Sequence, residues 1–174
     1  MGLLFALVML CAPPPAHATD AELDQLFAQL RAAPDAQAAR VYEQKIWQIW
    51  TTPDDPELRS SMSLVMSERS GGEILAAISD LEVIVERYPD YAEGWNQLAT
   101  MHFFNGDYEA SLAATVKVLE LEPRHFGALA GRAVIYDRLD QRELALKAML
   151  AALAIHPFLP ERALFPELET LTHT

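Results

Sequence analysis

Cysteine is almost missing from this chain of 174 residues: Cys11 alone occurs, inside an apolar N-terminal run, so the body of the chain has no disulfide, thiolate nucleophile or cysteine metal ligand. Basic residues are also scarce, with 13 Lys and Arg against 25 Asp and Glu and a net charge of −12. That balance repels nucleic acid and anionic lipid at long range and favours basic partners. The apolar run Leu3 to Ala12 is far short of the roughly 20 residues a membrane-spanning helix needs. Histidine is thin too, and His-x-x-x-His and Gly-rich phosphate loops are both absent. Gly71-Gly72 stands isolated and reads as a turn, and Asp54-Asp55 lacks the alternating oxygen ligands of a calcium loop. His102 is the one histidine expected on a helix face, where a hydrogen-bonded structural role fits better than catalysis or metal binding. Nothing converges as an enzyme site must. The expectation is a non-enzymatic protein with no cofactor and no metal.

The first eighteen residues read as an export address. A short apolar run is followed by Ala16-His17-Ala18, a small-x-small cleavage site, which places the mature start at Thr19 and the protein in the periplasm. The alternative is a membrane anchor through an uncleaved N-terminus, the chain's one route to a membrane. Lipidation at Cys11 is disfavoured by Leu10 before it.

What the chain does have is a ruler. Prolines fall at 89, 123 and 157, two intervals of 34, and self-similarity at such a period marks stacked units that cannot bury their apolar faces alone. Three units follow without a gap: 58–91, 92–125 and 126–159. Each has a helix A, a tight turn, a helix B and a closing proline, the turns being Gly71-Gly72, Asn105-Gly106-Asp107 and Leu139-Asp140-Gln141. Ahead of them, residues 19–52 form a helical pair. Thr19 to Glu22 has capping-box spacing, Leu23, Leu26, Phe27 and Leu30 share one helical face, Pro34 breaks the helix, and Asp35 caps a second one. The second helix carries an apolar stripe of Ala39, Tyr42, Ile46, Trp47 and Trp50. Residues 160–174 are expected to cap the last unit, split at Pro166 because proline lacks the amide a helix interior needs.

The central unit carries a resemblance. Trp95, Leu98, Gly106, Asp107, Tyr108, Leu112, Leu119 and Pro123 match the tetratricopeptide repeat position by position, with departures at Ala99, His102 and Ser111. The third unit keeps Ala133, Tyr136, Ala145, Leu146, Ala152, Leu153 and Pro157, and the first keeps Leu64, Gly72, Ala77, Ile78 and Pro89. The chain also resembles short exported tetratricopeptide proteins of bacteria. The resemblance implies an all-α, right-handed solenoid of helix-turn-helix repeats with an N-terminal helical pair and a C-terminal capping helix. It further implies a concave groove lined by the A helices.

The family's ligand-facing positions fall on Arg59, Met62, Met66, Arg69 and Ser70, then on Glu93, Asn96, Thr100, Phe103 and Phe104, then on Gly127, Ala130, Val134, Asp137 and Arg138. Of these, Met62, Met66, Arg69, Asn96, Thr100, Phe103 and Arg138 are the expected partner-binding set. Adaptable Met and Phe suit an extended or helical protein segment, Asn96 a backbone amide, and the arginines a carboxylate. The positions that carry the carboxylate clamp of chaperone-tail binders hold Met62, Met66, Gln97, Gly127 and Gly131, so that clamp is absent. A second expectation is self-association into a homodimer through the Trp47 and Trp50 stripe or the tail. A third possibility is that the helical pair or the tail covers the groove.

Overall fold

A computed structural model of the protein describes residues 18–171, all of it helix, turn and short connection. The expected signal segment lies outside the described residues apart from Ala18, as do His173 and Thr174. The helices are α1 Ala18–Arg31, α2 Ala36–Thr51, α3 Pro56–Gly71, α4 Ile74–Arg87, α5 Ala92–Phe104, α6 Tyr108–Leu121, α7 Phe126–Arg138 and α8 Arg142–Ile155. A 3₁₀ turn, Pro160–Leu164, and a four-residue α9, Leu168–Leu171, follow. The side chain of Thr19, on which the capping box depends, also lies outside the description.

Helices α3 to α8 pair in order as an array of helical hairpins. The turns between A and B helices share one device: Gly72, Gly106 and Asp140 take left-handed backbone, with φ of 79°, 81° and 56°. Glycine adopts this freely and aspartate tolerates it, so the third turn, which has no glycine, closes the same way. Helix α3 starts at Pro56, two residues before the expected edge of the first unit, because Asp55 accepts the amides of Glu57 and Leu58 at 2.8 and 2.9 Å and proline suits the first helical turn. Those amide bonds, that of Leu58 first, hold the Asp55 carboxyl below its ordinary value. Leu64, which matches the repeat pattern, is more than half exposed, since α3 ends the stack. Ser60 and Ser63 beside it return their hydroxyls to Pro56 O and Arg59 O, so that outer face is mostly polar.

The core falls into two clusters. One gathers Leu58, Val65, Leu81, Ile84, Leu98 and Met101 from α3 to α5, joined by Ala114 of α6. The other joins Phe126, Leu129 and Met149 of the last hairpin to Leu23, Phe27, Leu30, Ile46 and Trp50 of the N-terminal pair. The pair therefore does not prolong the stack ahead of α3. It runs back across the edge where successive hairpins join and docks on the far end of the array.

Named contacts mark its course. Tyr91, at the first junction, donates its hydroxyl to Trp50 O at 3.1 Å. At the second, Arg124 pairs with Asp24 at 2.5 Å and lies over the Phe27 ring at 4.4 Å, and His125 stacks on Trp50 with ring centroids 4.1 Å apart. At the third, His156 Nε2 stands 3.4 Å from a carboxylate oxygen of Glu43. Six large apolar side chains of this strap, Leu23, Leu26, Phe27, Leu30, Ile46 and Trp50, are buried, each contributing about 1.5–3 kcal/mol. A load of that size makes the strap part of the core and not a loosely held arm.

The tail is split as expected, with Pro166 separating the 3₁₀ turn from α9. Arg142 pins it: Nε and Nη2 donate to the Glu167 carboxylate at 2.8 and 2.6 Å, Nη2 donates to Leu164 O at 3.1 Å, and the guanidinium lies 4.7 Å from the Phe165 ring centre. The two Arg142 bonds hold the Glu167 carboxyl below its ordinary value.

Candidate functional site

The A helices α5 and α7 face one another across a cleft of about 220 Å³. Asn96, Thr100 and Phe103 of α5 and Gly131 and Val134 of α7 form its walls, Ser111 and Thr115 of α6 its floor, and Glu161 of the tail one rim. Three of the expected partner-binding residues thus meet in one place. The hydroxyls there are committed inward, Thr100 Oγ1 to Asn96 O at 2.9 Å, Ser111 Oγ to Ala99 O at 2.7 Å and Thr115 Oγ1 to Ser111 O at 2.8 Å. Phe103 is half-buried against Phe104 and Tyr108.

The first turns of the same helices are closed by the strap. The Trp47 indole lies edge-on to Trp50, His125 and Phe126, and it occupies the space beside Gly127, where a β-carbon would sit 2.9 Å from Cη2. Beneath it is a buried polar knot. Glu93, 2% exposed, accepts from Asn96 Nδ2 at 3.0 Å and Gln97 Nε2 at 2.6 Å, and His125 Nε2 lies 3.2 Å away. Ala128 N–H donates to His125 Nδ1 at 3.1 Å, capping α7, so that nitrogen carries no proton and Nε2–H points at Glu93. Arg69 extends the knot through a 3.0 Å bond to Gln97 Oε1. A buried carboxylate so fully served is a fixture of the fold.

A second cleft, about 580 Å³, opens between α3 and the end of α2, with Met62, Met66, Arg59, Thr52, Tyr91 and Gln97 on its walls. Burial drives the Tyr91 phenol well above its ordinary value, with Glu93 adding to the rise, so its hydroxyl stays protonated and donates to the strap.

Contacts within the chain already engage several of the expected residues. Met62, 7% exposed, belongs to the first core cluster and also borders the second cleft. Asn96 gives one amide proton to Glu93, and Arg69 is engaged by Gln97. Arg138 is exposed on the last turn of α7 and borders neither cleft. The Trp47 and Trp50 stripe that would carry a homodimer is spent on α7 within the chain. Glu161 and the floor hydroxyls Ser111 and Thr115 were missed. No local signal pointed to Glu161, whereas the small polar residues at 111 and 115 of helix B were visible as departures from an apolar lining. Among the described residues no helix is long and apolar enough to cross a membrane.

No family model matches the chain. Over 135 residues, 78% of the chain, it is 36% identical to a TPR repeat-containing protein of Rhizobium etli, and it spans 66% of that relative's length. It is 31% identical over 77 residues to peroxisome biogenesis protein 5 of Arabidopsis thaliana, a match covering 44% of this chain and 11% of that one. Among solved structures it resembles MamA, with a TM-score of 0.54 at 19% identity over 75% of this chain and 76% of that one. A second MamA structure, from AMB-1, gives 0.54 at 16% identity over 86% and 92%. Those structures share the hairpin array. With the 34-residue spacing, the helical hairpins and the relative's own repeat character agreeing, the chain belongs to the tetratricopeptide repeat proteins.

Proposed function

We propose that the chain is a non-enzymatic protein-interaction scaffold that holds a segment of another protein in the open half of its A-helix groove, and that it does so in the cell envelope after export. The cleft between α5 and α7 carries the reading, because Thr100, Phe103 and Val134 there present a mostly apolar concavity that no part of the described chain fills. The strap fills the neighbouring half with a helix of its own, which supports a helical or extended segment as the natural occupant of the rest. A photo-reactive residue in place of Thr100 tests the idea in intact cells. A discrete crosslinked protein that disappears on Phe103→Ala is the expected result. Crosslinks unaffected by that substitution would remove the groove from consideration. Recovery of a chain beginning at Thr19 from the periplasmic fraction tests the export.

A further inference from the structure

We infer that the α5–α7 cleft selects a lysine or arginine side chain of the partner segment, taking its alkyl stem on the apolar wall and its cationic head at Glu161. This rests on the groove reading proposed above. The volume is the first ground: about 220 Å³ falls below the several hundred Å³ of a pocket for a whole small molecule and suits one long side chain. The wall is apolar along its length, from Ala99 and Phe103 to Val134 and Ile135.

Hydrogen-bonding capacity is the second ground. Each hydroxyl in the cleft has committed its proton to a carbonyl, and Asn96 gives an amide proton to Glu93. What remains is chiefly lone pairs. Glu161 adds the charge, for its partly exposed carboxylate borders the cleft and its Oε2 has no hydrogen-bond partner among the described residues. A carboxylate at the rim of an apolar cleft rewards a ligand that brings an alkyl stem and a head of donors with positive charge, which is what lysine and arginine do. Charge agrees with this. A chain of net −12 draws cationic segments to itself at long range and repels acidic ones.

Four capped peptides, Ac-Ala-Ala-X-Ala-Ala-NH2 with X as Lys, Arg, norleucine or Glu, titrated into the isotope-labelled protein and followed by amide shifts, give the test. The Lys and Arg peptides are expected to move the amides of residues 99–104 and 127–135 saturably, with norleucine about tenfold weaker and Glu without effect. Glu161→Gln should weaken the Lys peptide about tenfold and leave norleucine alone, while Glu109→Gln, an equal loss of charge elsewhere on the exposed surface, should change neither. Gly131→Leu, at a position where a β-carbon meets open space, should block all binding without loss of fold. Norleucine binding as tightly as Lys, or an unchanged affinity in Glu161→Gln, overturns the cationic selection and leaves the groove standing. Silence from all four peptides, with a Thr100 crosslink still present in cells, does the same; silence and no crosslink remove both.

Discussion

Gly127 and Gly131 lie one turn apart on α7, and a β-carbon added at each would meet opposite surroundings. At Gly127 it would sit 2.9 Å from Cη2 of Trp47, whereas at Gly131 nothing lies within 4 Å. One helix face is therefore divided in two. Its first turn carries the strap's Trp47 at the inner end of the cleft, and its later turns look into the open part. The sealed half is built as core, with Trp50 stacked on His125 and Glu93 satisfied from three directions. The open half has the apolar wall of a core and no cover. A groove in this fold is thus a remainder, the part of the A-helix face that the chain leaves to others.

The largest way to break that division is Trp50→Ala. The indole meets Phe27, Trp47, His125 and Phe126, and removing a large aromatic from such a site costs about 3–5 kcal/mol. Chemical denaturation measures the loss, and hydrogen exchange locates it. Amides of α1, α2 and the start of α7 should lose protection, while those of α3 and α4, in the other core cluster, keep theirs. Uniform loss would mean that the two clusters open as one.

Gly127→Ala is the next largest. The helix gains about 1 kcal/mol from losing a glycine, but overpacking costs about 1–3 kcal/mol. Trp47 is held edge-on by Trp50, His125 and Phe126, and a shift would cost those ring contacts, so overpacking wins and a net loss of about 1 kcal/mol should appear as a lowered Tm. A raised Tm would show that the indole is free to move. Tyr91→Phe tests the same seal from the other junction. It deletes the 3.1 Å bond to Trp50 O and should cost about 1 kcal/mol by denaturation. Because burial holds the phenol protonated well beyond its ordinary value, the difference between the two proteins should persist into alkaline solution.

The array was legible because local chemistry repeats with it. Helical spacing, closing prolines and turns recur every 34 positions, and in the structure the left-handed backbone at 72, 106 and 140 keeps the same interval, although only the first two turns carry a glycine there. The path of the strap was not legible. The stripe of Ile46, Trp47 and Trp50 announces burial but carries no record of which surface buries it, and a docking site some 80 residues downstream leaves no mark on periodicity. For the site, position within helix A brought Asn96, Thr100 and Phe103 to one cleft. The same positional logic brought Met62 and Met66 to a different cleft, and it could not supply Glu161, which the tail delivers.

Gly131→Ala gives the smallest effect and the sharpest contrast with Gly127. Both residues are glycines in one helix with ordinary helical backbone, so both gain the same propensity, about 0.5–1 kcal/mol. At Gly131 nothing opposes the gain, because the new methyl group enters open space. The substitution should raise Tm by a few degrees, with the circular dichroism spectrum unchanged. The same pair of substitutions then moves stability in opposite directions from positions a single turn apart. Equal signs at the two would mean that the strap does not press on Gly127 or that something unseen occupies the cleft. A larger side chain at 131 should keep the stability and lose the partner, which separates what the glycine does for the groove from what it costs the helix.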